Sequence, residues 1–256
     1  MVSISIVSHC QVRMLNLIVA DILRYIDTDF ELIITHNVAE PACVDIPKNK
    51  SIVVIRNTRP QGFGANHNAA FKASSGDFFC VLNPDIRLNS NPFPTLLKLA
   101  SQEGVGVVAP RIFRPDGSPE DSARKFPSPL ELLGKVFGGK SAIHTGSGSV
   151  QDPDWVAGMF MLFPSSVFRK LGGFDERYFL YYEDVDICAR LALAGYRRLV
   201  CRDMSAIHDA RRSSHRDMRY AFLHLQSILR FFSSGVYRQI IQRQRAMTTQ
   251  STGSRN

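Results

Sequence analysis

Short, nearly continuous apolar segments that alternate with helical patterns constrain the fold of this chain most. In the first hundred residues the predicted strands cover 2–8, 30–35, 51–56 and 77–82. Between them, apolar residues recur every three to four positions over 15–23, and a helix is predicted over 65–74. Strands of this kind are typical of a parallel sheet that helices cover on both faces. The sequence therefore predicts an α/β fold whose first half, residues 1–100, is a Rossmann-like nucleotide-binding unit.

The second half, residues 101–214, has a less regular pattern. Strands are predicted over 104–112, 155–163 and 197–201, and helices over 130–136 and 165–171. Residues 138–148 are rich in glycine and serine, which is typical of a mobile loop. We expect this half to complete a single domain over 1–214.

Length and composition indicate a globular protein. The 256 residues are 45% hydrophobic, which is enough for a large core. The five cysteines are scattered without a C-x-x-C pair, so neither a zinc site nor a disulfide framework is indicated. No N-terminal leader is visible, and no apolar run approaches the roughly 18 residues of a membrane span. A cytoplasmic location is therefore expected.

Three acids stand together at the start of a predicted helix. Glu183, Asp184 and Asp186 occur among apolar positions that recur at helical spacing. Acids are common in a first helical turn, because the helix dipole and its free N–H groups favour negative charge there. The approach through 172–182, with a glycine pair and several aromatic residues, favours the wall of a pocket instead. These acids are therefore candidate catalytic residues.

Polar residues follow the predicted strands of the first half. They are Ser8 and His9, His36 and Asn37, Asn57, and Asn83 to Asp85. Ligands of parallel α/β sheets bind beyond the carboxyl ends of the strands. Asp85 follows a proline directly after a buried strand, which suits a ligand of Mg²⁺ or Mn²⁺; an ordinary Asn-Pro-Asp turn is the alternative. The segment 62–68 is a weaker candidate for a phosphate loop, because it fits neither the P-loop nor the Rossmann spacing.

Six motifs, in this order, resemble those of family 2 glycosyltransferases. They are Asn57 with Gly62 to Asn66, Leu82 to Asp85, Val156 to Gly158, Gly172 to Glu176, Phe179 to Asp186, and Gly195 with Ile207 and His208. Within that family the chain is similar to the bacterial rhamnosyltransferases that transfer L-rhamnose from dTDP-L-rhamnose to lipid-linked GlcNAc in O-antigen assembly. The resemblance covers residues 2–214 and implies a GT-A fold with an inverting, metal-dependent transfer.

The resemblance also implies roles for individual residues. Asp184 is the expected catalytic base, with Glu183 as the alternative, and Asp85 and His208 are the expected ligands of Mg²⁺ or Mn²⁺. The expected donor-binding and nucleotide-binding residues are Ser8, His9, His36, Asn57, Gly62, Asn66, Asn83 and Asp85. The expected acceptor-binding residues are Trp155, Gly158, Asp175 and Tyr182. The expected partners are a nucleotide sugar and a polyprenol-linked saccharide.

Two positions depart from the family's pattern. Asn83 stands where many relatives have an aspartate, so the expected metal site has one fewer charged ligand. His36 stands where relatives usually have an aspartate that reads the pyrimidine, so the preference between thymine and uracil stays open.

The C-terminal segment 215–247 is predicted to be helical, amphipathic and basic, with a break at 233–235. Nine of the 31 Lys and Arg residues, but only one of the 23 acids, lie from Arg211 onward. Peripheral contact with the inner face of the plasma membrane is one interpretation, and packing on the core or a homodimer contact is the other. Residues 248–256 are predicted to be disordered.

Two rival functions follow from the same features. An arginine-rich tail is also typical of nucleic-acid-binding modules, although the rest of the chain carries balanced charge and offers carboxylates, so no nucleic-acid partner is expected. A nucleotidyltransferase on a similar sheet would also use Asp85 and a metal, but would release inorganic diphosphate.

Overall fold

A computed structural model describes residues 1–40, 51–129, 148–209 and 218–253, with side chains up to Ala246. The strands are β1 Val2–Ser8, β2 Phe30–His36, β3 Ile52–Arg56, β4 Phe78–Leu82, β5 Ile86–Arg87, β6 Val105–Phe113, β7 Ala123–Arg124, β8 Val150–Gln151, β9 Trp155–Val156, β10 Phe160–Pro164 and β11 Arg197–His208. The helices are α1 Val12–Tyr25, α2 Phe63–Lys72, α3 Phe93–Ala100, α4 Ser165–Lys170, α5 Glu183–Leu193, α6 Met218–Ser233 and α7 Gly235–Gly253.

The central sheet is mixed, and its first half is parallel as predicted. The described strands run in the order β3-β2-β1-β4-β10-β6-β11-β5, with β8 also paired to β11. β1 pairs in parallel with both β2 and β4, so the strand order reverses beside β1. β10 is antiparallel to β4 and to β6. The carboxyl ends of β1 to β4 therefore meet on one edge of the sheet, where such sheets bind their ligands.

Helices cover both faces of this sheet and give it two apolar cores. On one face, α1 and α3 contribute Leu15, Ile18 and Leu96, each 0% exposed. On the other face, α4, α5 and α6 contribute Phe168, Ile187 and Phe231, also 0% exposed. Burial on both faces explains why the strands read as apolar runs.

Two predicted strands have different bounds in the structure. The predicted strand 155–163 is divided into β9 and β10, because Gly158 turns its N–H toward a carboxylate instead of the sheet. The predicted strand 197–201 continues to His208, across an irregularity in its pairing with β6 between Cys201 and Ser205. The predicted helix 130–136 and most of the loop 138–148 lie outside the described residues.

The C-terminal segment forms two helices with the predicted break between them. Helix α7 continues to Gly253, so the prediction of disorder is wrong for residues 248–253, where no glycine or proline interrupts the helix before its last residue. Both helices contact the core, since Phe231 is 0% exposed and Ile240 is 2% exposed. Within the described ranges, no helix combines the length and hydropathy that crossing a bilayer requires.

Candidate active site

Asparagine side chains join the carboxyl ends of β2 and β3 to the first turn of α2. The Asn57 Nδ2 group donates hydrogen bonds to Asn37 Oδ1 at 2.8 Å and to Asn66 Oδ1 at 2.7 Å. Asn37 Oδ1 also accepts the backbone N–H of Gln61 at 2.8 Å, and Asn37 Nδ2 lies 3.2 Å from His9 Nδ1. This amide network fixes four chain segments at the edge of the sheet where the carboxyl ends of the parallel strands meet. It brings together three of the predicted donor-binding residues, His9, Asn57 and Asn66.

Ser8 and His36, two more predicted donor-binding residues, are buried at the ends of β1 and β2. The Ser8 carbonyl accepts the backbone N–H of Asn37 at 2.8 Å, which joins the two strand ends. His36 Nδ1 lies 2.8 Å from Glu40 Oε1, and both side chains are at most 5% exposed. At the end of β2, this buried histidine therefore pairs with a carboxylate.

Gly62 lies against the backbone of Phe179 and so joins the two halves of the domain. A Cβ atom at Gly62 would lie 2.7 Å from the Phe179 carbonyl oxygen and 2.9 Å from its Cα. The backbone N–H of Phe63 donates to the same carbonyl at 2.9 Å. Only glycine permits this close approach of two backbones. Gly62 thus has a packing role, and its contact with a nucleotide stays a prediction.

A strained turn precedes the predicted catalytic acids. Tyr181 and Tyr182 have φ angles of 70° and 68°, in the left-handed region that residues other than glycine rarely adopt. Helix α6 holds the turn in place: Ser227 Oγ donates to the Leu180 carbonyl at 2.8 Å, and the rings of Tyr182 and Phe231 lie 5.6 Å apart. Strained backbone of this kind is frequent at functional sites. Because α5 begins directly after the turn, the turn sets the direction of both acids.

Glu183 and Asp184 have different surroundings. Asp184 accepts two backbone N–H groups, from Gly158 at 3.0 Å and from Val185 at 2.8 Å. Glu183 Oε2 is buried and has no hydrogen-bond partner in the described part of the chain. Burial, and then the charge of Asp184, raise the pKa of Glu183 well above its ordinary value of 4.5. Burial also raises the pKa of Asp184, but both N–H donors oppose that shift. The surroundings of Asp184 therefore favour its charged form more than those of Glu183 do, and those of Glu183 favour the neutral form.

Arg124 pairs with Asp121 at 2.8 Å, and its charge also acts on Asp184, but it is absent from the residues that the sequence predicts. It stands opposite Trp155 in the β7–β9 ladder, and its guanidinium lies 5.5 Å from the centre of the indole ring. Trp155 Nε1 donates to the Lys125 carbonyl at 2.9 Å, which fixes the ring. Burial is the main cause that raises the pKa of Asp184, and the positive charge of Arg124 acts against it. The β7–β9 ribbon thus adds a cation and an aromatic surface to the site.

Asp85 and His208, the predicted metal ligands, lie together. Asp85 Oδ2 is 3.4 Å from His208 Nε2, because Ile86 pairs with His208 between β5 and β11. The other ring nitrogen of His208 is 4.0 Å from Glu120 Oε2. Burial lowers the pKa of His208, but the hydrogen bond and charge of Asp85 outweigh it, so the pKa is raised overall.

Each member of this pair has one buried polar atom without a hydrogen-bond partner in the described part of the chain. Asp85 Oδ1 is buried without a hydrogen-bond partner in the described residues, and so is His208 Nδ1. The same residues contain no group of three or more His, Cys, Asp or Glu side chains that could hold a metal ion. Mg²⁺ typically takes one or two carboxylates and completes its shell with phosphates and water, so a full protein cage is not required.

A short backbone segment connects the metal-ligand candidates to the acid pair. The Asn83 backbone N–H donates to the Met159 carbonyl at 2.9 Å, two residues before Asp85. The preceding residue, Gly158, donates its N–H to Asp184. Asp85 and Asp184 therefore flank the start of β10 on the same edge of the sheet.

Two predicted acceptor-binding residues have structural partners. The Asp175 carboxylate accepts hydrogen bonds from the Arg177 side chain, the shortest at 2.6 Å. Burial raises the pKa of Asp175, but these hydrogen bonds outweigh it and lower the pKa overall. Tyr182 is buried, and burial followed by the charge of Asp184 raises the pKa of its phenol to about 12. Their contacts with an acceptor stay predictions.

Comparison with known proteins places the chain in a family. Residues 3–159 match Glycosyl transferase family 2. The chain is 31% identical over 185 residues to the rhamnosyltransferase WbbL of Escherichia coli K12, covering 67% of this chain and 70% of WbbL. It is 34% identical over 152 residues to the N-acetylglucosaminyl-diphospho-decaprenol L-rhamnosyltransferase of Mycobacterium tuberculosis, covering 55% of this chain and 50% of that protein. The chain therefore spans only half the length of the mycobacterial relative.

Solved structures confirm the fold. One is the mannosyltransferase PcManGT from Pyrobaculum calidifontis, in complex with GDP-Man and Mn²⁺. The match has a TM-score of 0.62 at 15% identity and covers 94% of this chain and 68% of the PcManGT chain. The match to GalNAc-T7 with UDP, GalNAc and Mn²⁺ also has a TM-score of 0.62, at 16% identity. It covers 82% of this chain and 44% of the GalNAc-T7 chain. These neighbours confirm the expected GT-A fold. The chain belongs to glycosyl transferase family 2.

Proposed function

We propose that this family 2 glycosyltransferase is an inverting rhamnosyltransferase that uses dTDP-L-rhamnose and a lipid-linked saccharide acceptor. The observation that carries the proposal is the acid pair, in which two backbone N–H groups hold the Asp184 carboxylate and Glu183 is buried without a partner. The names of the relatives from E. coli and M. tuberculosis support the choice of rhamnose, and the mycobacterial name supports a GlcNAc-diphospho-lipid acceptor.

In the proposed reaction, Asp184 takes the proton of the acceptor hydroxyl as that oxygen attacks the anomeric carbon. A positioned general base contributes roughly 10² to 10⁴ in rate. The bond between the anomeric carbon and the nucleoside diphosphate breaks, and the diphosphate leaves with the electron pair. One carboxylate suffices because the diphosphate is a good leaving group, whereas glycoside hydrolases also protonate a poor one. Protonated Glu183 limits the negative charge that accumulates beside the base.

Asp85 and His208 would hold Mg²⁺ or Mn²⁺ next to the donor diphosphate. When bound, such an ion stabilises the negative charge that develops on the leaving phosphates. The buried, unpartnered Asp85 Oδ1 supports this assignment, because a buried carboxylate oxygen without a partner is costly. Asn83 contributes an amide instead of a second carboxylate, so we expect weak binding of the ion before the nucleotide arrives.

The amide network on Asn37 would receive the nucleoside of the donor. Its atoms lie at the carboxyl ends of β1 to β3, beside the strand-order reversal. We assign donor contacts to Ser8, His9, His36, Asn57, Gly62, Asn66, Asn83 and Asp85. We assign acceptor contacts to Trp155, Gly158, Asp175 and Tyr182, and we add Arg124 because it lies over the Trp155 ring.

A lipid-linked acceptor would place the enzyme at a membrane. We therefore propose peripheral contact with the cytoplasmic face of the plasma membrane through the C-terminal helices.

Product analysis tests the proposed function. The purified protein is incubated with dTDP-L-rhamnose, Mn²⁺ and a short-chain GlcNAc-diphospho-lipid. We expect release of dTDP and a disaccharide product with inverted anomeric configuration. Release of inorganic diphosphate from a nucleoside triphosphate and a sugar phosphate would instead identify a nucleotidyltransferase. Transfer from another nucleotide sugar but not from dTDP-L-rhamnose would overturn the donor assignment alone.

A further inference from the structure

Helix α6 exposes a row of four large apolar side chains, which we call the α6 stripe. Met218, Phe222, Leu225 and Leu229 are 86%, 67%, 53% and 62% exposed. Their spacing of four, three and four residues places them on one face of the helix. Contiguous exposed apolar surface of this kind marks an interaction site more often than isolated apolar residues do.

The opposite face of α6 is fixed to the catalytic domain. Ser227 is 4% exposed and Phe231 is 0% exposed, and both contact the segment that leads into the acid pair. The His224 ring lies 5.0 Å from the Tyr181 ring on the same side. The stripe therefore faces away from the core, and α6 would have to detach from Tyr182 to bury it there.

The two C-terminal helices carry positive charge. Between Met218 and Ala246 the sequence has five arginines and no acid. On a helix with about 100° per residue, Arg219 and Arg230 both lie about 100° from the centre of the stripe, along one edge. Apolar residues on one face with arginines along its side are typical of helices that lie in the interface of an anionic bilayer. If two copies packed stripe to stripe, their arginine-rich C-terminal helices would lie close together and repel each other, because this segment has no acid to compensate the positive charge.

We propose that the α6 stripe is the surface that docks this protein on an anionic lipid membrane. The proposal deepens the proposed function and rests on it, because the lipid-linked acceptor gives the docking its purpose. The same helix separates the membrane from the strained turn at Tyr181 and Tyr182. Since a helix with its side chains is about 10 Å across, docking brings the acid pair to roughly one helix diameter from the headgroups. A diphosphate at the membrane surface then lies within reach of the site.

Vesicle co-sedimentation of the full chain tests the docking. The vesicles contain phosphatidylcholine and phosphatidylglycerol in equal parts, and pure phosphatidylcholine vesicles serve for comparison. The test variant carries Phe222→Ser and Leu229→Ser. The control variant carries Leu17→Ser and Val54→Ser, which remove two exposed apolar side chains from α1 and β3. Circular dichroism checks that both variants are folded.

We expect the wild-type protein and the control to bind the anionic vesicles, and the test variant to bind at least about tenfold more weakly. Binding to pure phosphatidylcholine and binding at high salt should also be weaker, because the arginine contribution is electrostatic. Equal binding by the test variant would overturn the proposal. A wild-type dimer in solution that the test variant converts to a monomer, without vesicle binding by either, would assign the stripe to a second copy instead. Vesicle binding requires no catalysis, so it is read separately from dTDP release: binding without transfer would contradict the proposed function alone.

Discussion

The backbone N–H of Gly158 donates a hydrogen bond to the Asp184 carboxylate, at 3.0 Å. Gly158 lies between β9 and β10, whereas Asp184 lies in the first turn of α5, so the bond fixes the acid to the edge of the central sheet. It also favours the charged form of Asp184, whereas burial and that charge favour the neutral form of the neighbouring Glu183. The local geometry thus favours the charged form of one acid and the neutral form of its neighbour.

The raised pKa of Glu183 predicts how stability depends on pH. The folded state favours the protonated form of Glu183. The contribution of this form to the free energy of unfolding is complete below the unfolded-state pKa of 4.5, and it is lost as the pH rises through the higher folded-state pKa. Glu183→Gln resembles the protonated acid and does not titrate. We therefore expect the variant to gain stability relative to the wild type as the pH rises from 4.5 toward neutrality. Urea denaturation across this range measures the difference, with the exposed Glu103→Gln as the control. A difference that stays constant with pH would show that Glu183 is ionised in the folded protein.

The close packing of Gly62 against the Phe179 backbone predicts that a larger residue at position 62 disturbs the site. The new methyl group of Gly62→Ala would lie 2.7 Å from the Phe179 carbonyl oxygen, so α2 or the segment before the acid pair must shift. We expect a loss of about 1–3 kcal/mol in the free energy of unfolding and a lower kcat. Gly235→Ala is the matched control, because a Cβ there meets nothing within 4 Å. Denaturation curves that place both variants at wild-type stability would contradict the packing role.

Asp85 predicts metal-dependent nucleotide binding. Asp85→Ala removes the carboxylate that pairs with His208, and we expect dTDP affinity in Mn²⁺ to fall about 10- to 100-fold, the equivalent of one charge-assisted contact. Affinity in EDTA should change much less. Titration calorimetry measures both values, and Asp77→Ala, at the exposed other end of β4, is the control. The metal assignment is wrong if the loss in affinity is the same with and without the ion.

The elements and the edge of the sheet that carries the site could be predicted from the sequence, because buried strands read as apolar runs with polar residues at their ends. The sequence shows that Asn37 follows a predicted strand, but not that it is the centre of the amide network. That role depends on the register of β2 and β3, which brings Asn57 next to Asn37. Arg124 carries no local signal, since it reaches the site only through pairing with Trp155, 31 positions later. The left-handed turn at Tyr181 and Tyr182 was also invisible, because tertiary contacts with α6 hold a conformation that tyrosine rarely adopts on its own.

The C-terminal helices show the same limit. Their helical period and the break near Ser234 follow from the sequence. The face that packs on the core does not follow from the sequence. Phe222 and Phe231 are the same residue type on the same helix, but Phe222 is exposed and Phe231 is buried.

The most direct test of the account is the turnover of Asp184→Asn. Asparagine keeps the shape of the side chain and an oxygen for the Gly158 N–H, but it is not a base. The account predicts a fall in kcat for dTDP release of roughly 10² to 10⁴, with dTDP affinity in Mn²⁺ unchanged. Turnover near that of the wild type would contradict the assignment of Asp184 as the catalytic base.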